Sequence, residues 1–492
     1  MLSKSKLMAF RQCPRRLWLE VHRPDLREDS ASAQTRFDAG HEIGNIARTI
    51  YDPQDRGTFL DLDLLGVEGA IEKTQAQLAQ RTPIFEAGFV SRQVRAFADV
   101  MLPVKRKGRT AWRMVEVKSS TSVKDYHRDD VATQALLAQE SGVDLVEVAV
   151  AHIDSRWIYR GRGDYSGLLV EADLTGEALA RGEEVGQWIQ EAHAIVEQPG
   201  EPAAKTGRHC GEPYECGFHG YCSAREPRPQ VPAAWLPRAQ AKALRALLDV
   251  RPAVEMADVP DEILNDRQLR VKRVTLSGKP YFDRLAARRA LANSERLAYF
   301  LDFETVMFAV PRWAGTRPYQ QIPFQFSLHR LSRSGSLEYT SHLDLSGEDP
   351  SRGFAEALVA ACGVRGPIYV YNVAFERSRI TELAARFPAL SGQLLAIAAR
   401  LKDLLPIVMD HYYHPNQQGS WGIKAVLPTI APDLDYASLD GVQDGGMAMA
   451  AYLEATAAST TPAEKEGISR SLLAYCGRDT EGLVRIWSFL TG

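Results

Sequence analysis

Three of the chain's six cysteines fall within thirteen residues, CGEPYECGFHGYC, at Cys210, Cys216 and Cys222. The spacing is C-x5-C-x5-C, and the residues between are rich in Gly, Pro and aromatics. Thiols gathered in such a loop hold a metal group, and the loop then folds around its ligands. Where a fourth ligand comes from is open. His209 and His219 flank the loop, so three thiolates and one imidazole around zinc are one solution. Cys362 and Cys476 stand alone and are expected to be packing residues.

A disulfide framework fits the rest of the sequence poorly. The opening MLSKSKLMAFRQCPRR is charged throughout and has no secretory apolar core. Sparse cysteine without an export signal points to the reducing cytoplasm, where a cysteine loop is a metal site. No apolar run approaches the roughly 20 residues of a membrane span. The net charge is −3, so any nucleic-acid contact must be a local basic groove. At 492 residues the chain should hold two or three domains. The Pro- and Arg-rich SAREPRPQVPAAWLP marks a linker after the cysteine loop. Beyond it, RAQAKALRALLDV has helical spacing, and VKRVTLSGKPYFDR is expected to be extended around a Ser-Gly turn.

Two stretches, VRAFADVMLPV and AWRMVEVKSS, flank KRKGRT and are rich in strand formers. A hairpin turning at Lys107-Gly108 sets Asp99 across from Glu116. Glu116 and Lys118 are two apart on one strand and share a face. Facing carboxylates repel unless a cation lies between them, and a hard divalent ion with oxygen ligands answers that need. Lys118 would then orient water or stabilise phosphate charge. The bland alternative for E-x-K is a surface salt-bridge ladder.

The order D…E-V-K followed by the helical Gln134 of RDDVATQALLAQES resembles the PD-(D/E)xK nucleases of the RecB-like branch. The opening LSKSKLMAFRQCPRRLWLE resembles that of the branch's iron–sulfur members, the CRISPR-associated and recombination exonucleases. The resemblance implies Asp99, Glu116, Lys118 and Gln134 as catalytic residues, with Asp99 and Glu116 holding Mg2+ or Mn2+. It implies Cys13 as the fourth ligand beside Cys210, Cys216 and Cys222, around a [4Fe–4S] cluster, with zinc as the alternative. The family's helical His falls out of register in FDAGHEIGNIARTIY: Gly44 stands at its place, and His41 and Glu42 are the nearest candidates. Glu86, on a strand before Asp99, resembles a further acid of some members, or else faces solvent.

A second acidic set lies downstream. Asp302 and Glu304 in YFLDFETVMF share one strand face. Tyr475 and Asp479 in LLAYCGRDTEGLVRIW share one helix face. Between them, VYNVAFERSRI carries Glu376 at a helix start after Asn372. Four carboxylates from three segments are the make-up of a two-metal phosphodiesterase site. The order D-x-E, N-x3-E, Y-x3-D resembles the tyrosine subtype of the DEDD exonucleases, of ribonuclease-H-like fold. There the middle acid is usually Asp, and Asp403 in LKDLLPIV is a spare. The stretches DFET, PYQQIPFQFSLH, YNVAFE, GSWGIKAVLP and YCGRDT also resemble an uncharacterised family linked to such exonucleases. Lys424 in the fourth stretch is a candidate phosphate contact or a solvated lysine.

The expected fold is therefore α/β. A PD-(D/E)xK restriction-endonuclease-like domain with an iron–sulfur cluster spans 1–225, a connector 226–294, and a ribonuclease-H-like domain 295–492. The expected function is metal-dependent hydrolysis of DNA ends or single strands at two centres, with RNA as the alternative to DNA, in repair or antiphage defence alongside a helicase or similar partner. The alternative is a nucleic-acid-binding or scaffold protein with one or both centres degenerate.

Overall fold

The computed structural model describes the chain apart from residues 30, 107–108, 238–240, 252, 293–296 and 435, and for 31–38 and 437 it describes the backbone alone. The fold is mixed α/β and divides into two units. The first is Met1–Glu226 with Phe308–Gln320, and the second is Pro227–Met307 with Gln321–Gly492. The connector expected at 226–294 thus folds with the second unit, while the insert 308–320 counts with the first. Ala309 and Val310 of that insert are buried in a cluster with Phe85, Val100 and Val115. Among the described residues no helix is long and apolar enough to cross a membrane.

The first unit opens with helices α1 (Lys4–Gln12), α2 (Pro14–His22) and α3 (Ala31–Tyr51). Strands β1 (Ile84–Ser91), β2 (Val94–Arg106) and β3 (Arg109–Lys118) follow, antiparallel in turn. Helix α4 (Asp125–Glu140) then crosses to β4 (Leu145–Ile153), which is parallel to β3. A parallel pair needs such a crossover, and α4 supplies it. Its Val131, Ala132 and Ala135 pack with Met101 and Met114 on one face of the sheet. Val115 and Val117 of β3 pack on the other face, with Ile43 and Ala47 of α3. Because strand side chains alternate, Glu116 and Lys118 point to the α4 face. The β2–β3 ladder runs from Val100↔Val115 to Arg106↔Arg109, the register that sets Asp99 across from Glu116. The turn expected at Lys107-Gly108 lies outside the described residues.

In the second unit, VKRVTLS is not extended. It ends helix α5 (Asp266–Ser277). A capping box closes the start, where Asn265 and Gln268 exchange bonds, and Gly278 at φ 70° caps the end. These caps outweigh the strand preference of Val and Thr. Strands β5 (Ala298–Val306), β6 (Ile322–Leu331), β7 (Leu337–Leu343) and β8 (Ile368–Val370) precede helix α6 (Val373–Arg386), β9 (Leu401–Asp403) and the closing helix α7 (Pro462–Thr491). The sheet order is β7-β6-β5-β8-β9. β5, β6 and β7 are antiparallel neighbours, and β8 and β9 run parallel to β5. Tyr299, Leu301 and Phe303 of central β5 pack with Phe354 and Leu358. The intervening residues face α7, as the 5.8 Å ring contact of Phe300 with Trp487 indicates. Gly419 (φ 82°) in GSWGIKAVLP lies so close to the Trp235 backbone that a Cβ would overlap its carbonyl, at 1.5 Å.

Candidate functional site

Each unit brings one acidic set together. In the first, Asp99 Oδ2 accepts from the Val117 N–H at 2.6 Å. Lys118 Nζ donates to Glu116 Oε1 at 2.7 Å, and Gln134 Nε2 donates to Glu116 Oε2 at 2.7 Å. Gln134 Oε1 is buried and has no donor. Glu86 adopts a left-handed backbone (φ 60°), and the β1–β2 ladder skips it opposite Asp99. Such strain in a half-buried acid persists only where its surroundings hold it. Two further residues complete the set. Lys4, at the start of α1, reaches Glu116 Oε1 at 2.9 Å and Asp130 Oδ1 at 2.9 Å. Asp130 also pairs with Lys118.

The charges of this cluster divide in two. Burial works against ionised Glu116, but Lys118 and Lys4 outweigh it and hold its carboxyl well below the usual range. Burial and then Glu116 push Asp99 well up, and burial pushes Glu86 to about 7. Buried acids that keep their protons until a cation arrives suit a metal site. His41 is exposed, and Glu42 is raised by burial and faces Arg312 rather than this cluster. Neither joins the site.

Cys13 interrupts α1 and α2 in extended conformation (φ −163°), so its side chain leaves the helical path. It lines one cavity with Cys210, Cys216 and Cys222, together with Arg15, Arg16, His209 and His219. Gln12 Nε2 ties this junction to the loop carbonyls of His209 (2.6 Å) and Tyr214 (2.7 Å). Burial pushes the Cys222 thiol to about 11, against Arg15. Among the described residues, the one group of three metal-ligating side chains with donor atoms within 4.8 Å of one another is Asp302, Glu304 and Cys476.

In the second unit, Asp302 and Glu304 on β5 meet α7. Three polar residues of β6 fix that helix. Gln325 Nε2 donates to Leu472 O (2.8 Å), Ser327 Oγ to Cys476 O (2.6 Å), and His329 Nδ1 lies 2.9 Å from Thr480 Oγ1. They hold Tyr475 and Asp479 against the strand. Tyr436 Oη donates to Asp479 Oδ1 at 2.6 Å. Glu376, in the first turn of α6, is buried, and its Oε2 has no hydrogen-bond partner. Asn372 precedes that helix at φ 79°. Lys424 Nζ lies 5.3 Å from the Tyr475 ring and donates to Gln443 O. It is exposed and borders the site.

Two expectations change here. Asp403 is not a spare ligand: its oxygens accept from the N–H groups of Asn372, Val373 and Leu405, capping two helix starts. Cys476 is not remote packing. Its Sγ lies 3.8 Å from Asp302 Oδ2, within the acidic set. Cys362 is buried in the apolar cluster, as expected of a packing residue.

Every acid of this set is raised, by burial first. Glu304 and Glu376 reach about 8, Asp479 about 6, and Asp302 lies well above its usual value with Asp479 and Glu304 adding repulsion. Folded values above unfolded ones mean the metal-free fold binds extra protons between about pH 4 and 8. That stability is present in acid and lost as pH rises through the folded values. The metal-free protein in EDTA should melt lower at about pH 8.5 than at about pH 5.5. Magnesium or manganese should restore more at the higher pH, and Glu304→Gln should flatten the slope. A metal-free melting temperature that climbs over this span, in wild type and variant alike, would contradict the cluster's electrostatics.

A family model described as a domain of unknown function (DUF2779) matches residues 299–422. The match spans Asp302, Glu304, Glu376 and Asp403 and stops before Tyr475 and Asp479. No curated protein matches the chain.

Proposed function

We propose that the chain is a metal-dependent nuclease with one acidic centre in each unit and an iron–sulfur cluster in the first. The observation that carries the reading is in the second unit. Four carboxyls from β5, α6 and α7, three buried and Asp302 half-buried, converge with raised proton affinity, and Glu376 Oε2 lacks any partner. Such an arrangement is costly without a cation and suits two of them. The ribonuclease-H-like resemblance is supported by a mixed sheet whose central strand carries D-x-E. The RecB-like resemblance is supported by Glu116 and Lys118 on the α4 face of the sheet, where Gln134 of α4 donates to Glu116.

Asp302, Glu304, Glu376 and Asp479 would hold magnesium or manganese in the second unit, and Asp99, Glu116 and Glu86 in the first. Bound there, the ions supply an activated water and neutralise charge on the leaving oxygen. Lys118 holds its proton, because Asp130 and Glu116 outweigh burial, and so offers a fixed positive charge to phosphate. Tyr475 and Tyr436 set the orientation of Asp479. Four thiols line one cavity walled by Arg15 and Arg16, a donor set that suits a four-thiolate [4Fe–4S] group, with zinc as the alternative. The wall arginines would offset its negative charge.

The direct test is purified protein on labelled single-stranded DNA and RNA, with magnesium, manganese or EDTA. Metal-dependent cleavage is expected, and no cleavage with either metal overturns the reading. Tyr475→Phe removes a hydroxyl and leaves the acids in place. It should lower kcat by about 10- to 100-fold with KM within about twofold, the pattern of a lost transition-state contact. A rise in KM alone would assign Tyr475 to substrate binding. One observation favours a second reading, a nucleic-acid-binding protein with a degenerate first centre: both Glu116 oxygens are already occupied, by Lys4, Lys118 and Gln134. Cleavage surviving Asp302→Ala would exclude it.

A further inference from the structure

A basic lobe grows from the same end of the first unit's sheet as its acidic centre. Lys118 pairs with His152 in the β3–β4 ladder, and the chain leaves β4 through DSRWIYRGRGDYSGL, residues 154–168. The insert 308–320, FAVPRWAGTRPYQ, packs onto this segment. Tyr159 N–H donates to Thr316 O (2.9 Å), and Gly315 N–H returns to Tyr159 O (2.8 Å). Tyr165 Oη donates to Pro311 O. Trp157, Tyr159 and Tyr165 cluster beneath, with Tyr159 and Tyr165 stacked nearly parallel at 4.8 Å. The lobe is tied directly to the site: Tyr319 Oη donates to Ser119 O, and the Ile153 N–H donates to Ser120 O, just after Lys118.

The charge of the lobe opposes that of the chain. Its 28 residues carry five arginines and two aspartates, in a protein of net charge −3. Arg156, Arg160, Arg162, Arg312 and Arg317 are all exposed. Arg162 sits at the tip with φ 65°, between two glycines that are also left-handed. Gly or Asn would hold that turn at less cost, so an arginine there serves something other than folding. A stiff aromatic base presenting guanidinium groups suits the phosphates of a nucleic-acid strand.

We propose that this lobe is the surface along which a nucleic-acid strand reaches the acids around Glu116. The inference rests on the nuclease reading and adds the substrate path. The test is the anisotropy of labelled single-stranded DNA, with an RNA arm, in EDTA over a salt series. The triple variant Arg156→Glu, Arg160→Glu, Arg162→Glu should bind at least about tenfold more weakly, with its salt slope reduced by about 2. A charge-matched control, Arg56→Glu, Arg81→Glu, Arg333→Glu, should stay within about twofold of wild type. Melting and near-ultraviolet circular dichroism establish that both are folded. Equal binding by triple variant and control overturns the lobe. If wild type cleaves while the triple variant binds as tightly as wild type, the lobe alone is wrong. If wild type neither binds nor cleaves DNA or RNA, the nuclease reading falls as well.

Discussion

A chain carrying both Lys118→Ala and Asp302→Ala should leave single-stranded DNA intact under conditions where wild type degrades it. Each replacement alone should leave the other centre working, so the double variant reads both. At the first centre, losing Lys118 removes the positive charge held beside Glu116 and Asp130. Glu116 keeps its bonds to Lys4 and Gln134, so the fold survives and strand binding persists. At the second, Asp302 is pressed by burial and by the charges of Asp479, Glu304 and Glu376. Its loss relieves repulsion in the metal-free protein while removing a metal ligand. The melting temperature in EDTA should therefore hold or rise as activity falls on the order of 10³-fold, several kcal/mol of lost charge stabilisation. Single variants then separate the two activities. With Lys118→Ala alone, the exonuclease resemblance implies that DNA blocked at its 3′ end resists digestion. Equal digestion of blocked and free ends would refute 3′ polarity. Undiminished activity in the double variant would show that neither carboxyl set cuts.

What was legible in the sequence was local. Period-two alternation and the Lys-Gly turn were enough to bring Asp99 opposite Glu116 and to turn Glu116 and Lys118 to one face. Period-3.6 spacing put Tyr475 and Asp479 together on α7. The partners that complete each site come from far along the chain. Lys4 is 112 residues from Glu116, and among the serines of LSKSKL it resembles any solvated N-terminal charge. A faint indication existed: Lys4 lies three before buried Leu7, on the covered stripe of α1. Asp130 similarly lies four before Gln134 on α4, and Cys476 three before Asp479 on α7. Asp403 misled because a capping aspartate and a metal-binding aspartate are the same residue until the backbone N–H groups around it are placed. The helix of VKRVTLS was hidden by its β-branched residues, whose preference is weaker than two good caps. That the insert between β5 and β6 should pack with the first unit's apolar cluster had no local trace at all.

With the proposed cluster bound the protein should be brown, and Cys13→Ser should lose that colour and a large part of the first unit's stability. The cavity sulfurs come from the α1–α2 junction and from a loop about 200 residues later, so a group held by all four closes a long stretch of chain. Ligand binding of this kind is folding energy, because the unfolded chain has no preformed site. Even about 4 kcal/mol lost would lower the melting temperature of a unit this size by roughly 10 °C. The effect should reach the acidic centre. α1 carries Cys13 at one end and Lys4 at the other, with Gln12 bonded to the cysteine loop and Lys4 bonded to Glu116. Loosening the junction should slow cleavage in an Asp302→Ala background, where the first centre acts alone. Iron, sulfide and zinc analysis after anaerobic purification identifies the group, with about four irons and four sulfides per chain expected in wild type and few in Cys13→Ser. Cys362→Ser is the matched control: its thiol is buried in the second unit's apolar cluster, so it should destabilise that unit and leave the iron content unchanged. Stoichiometric zinc without iron would replace the cluster by a zinc site, and full iron retention in Cys13→Ser would remove Cys13 from the ligand set.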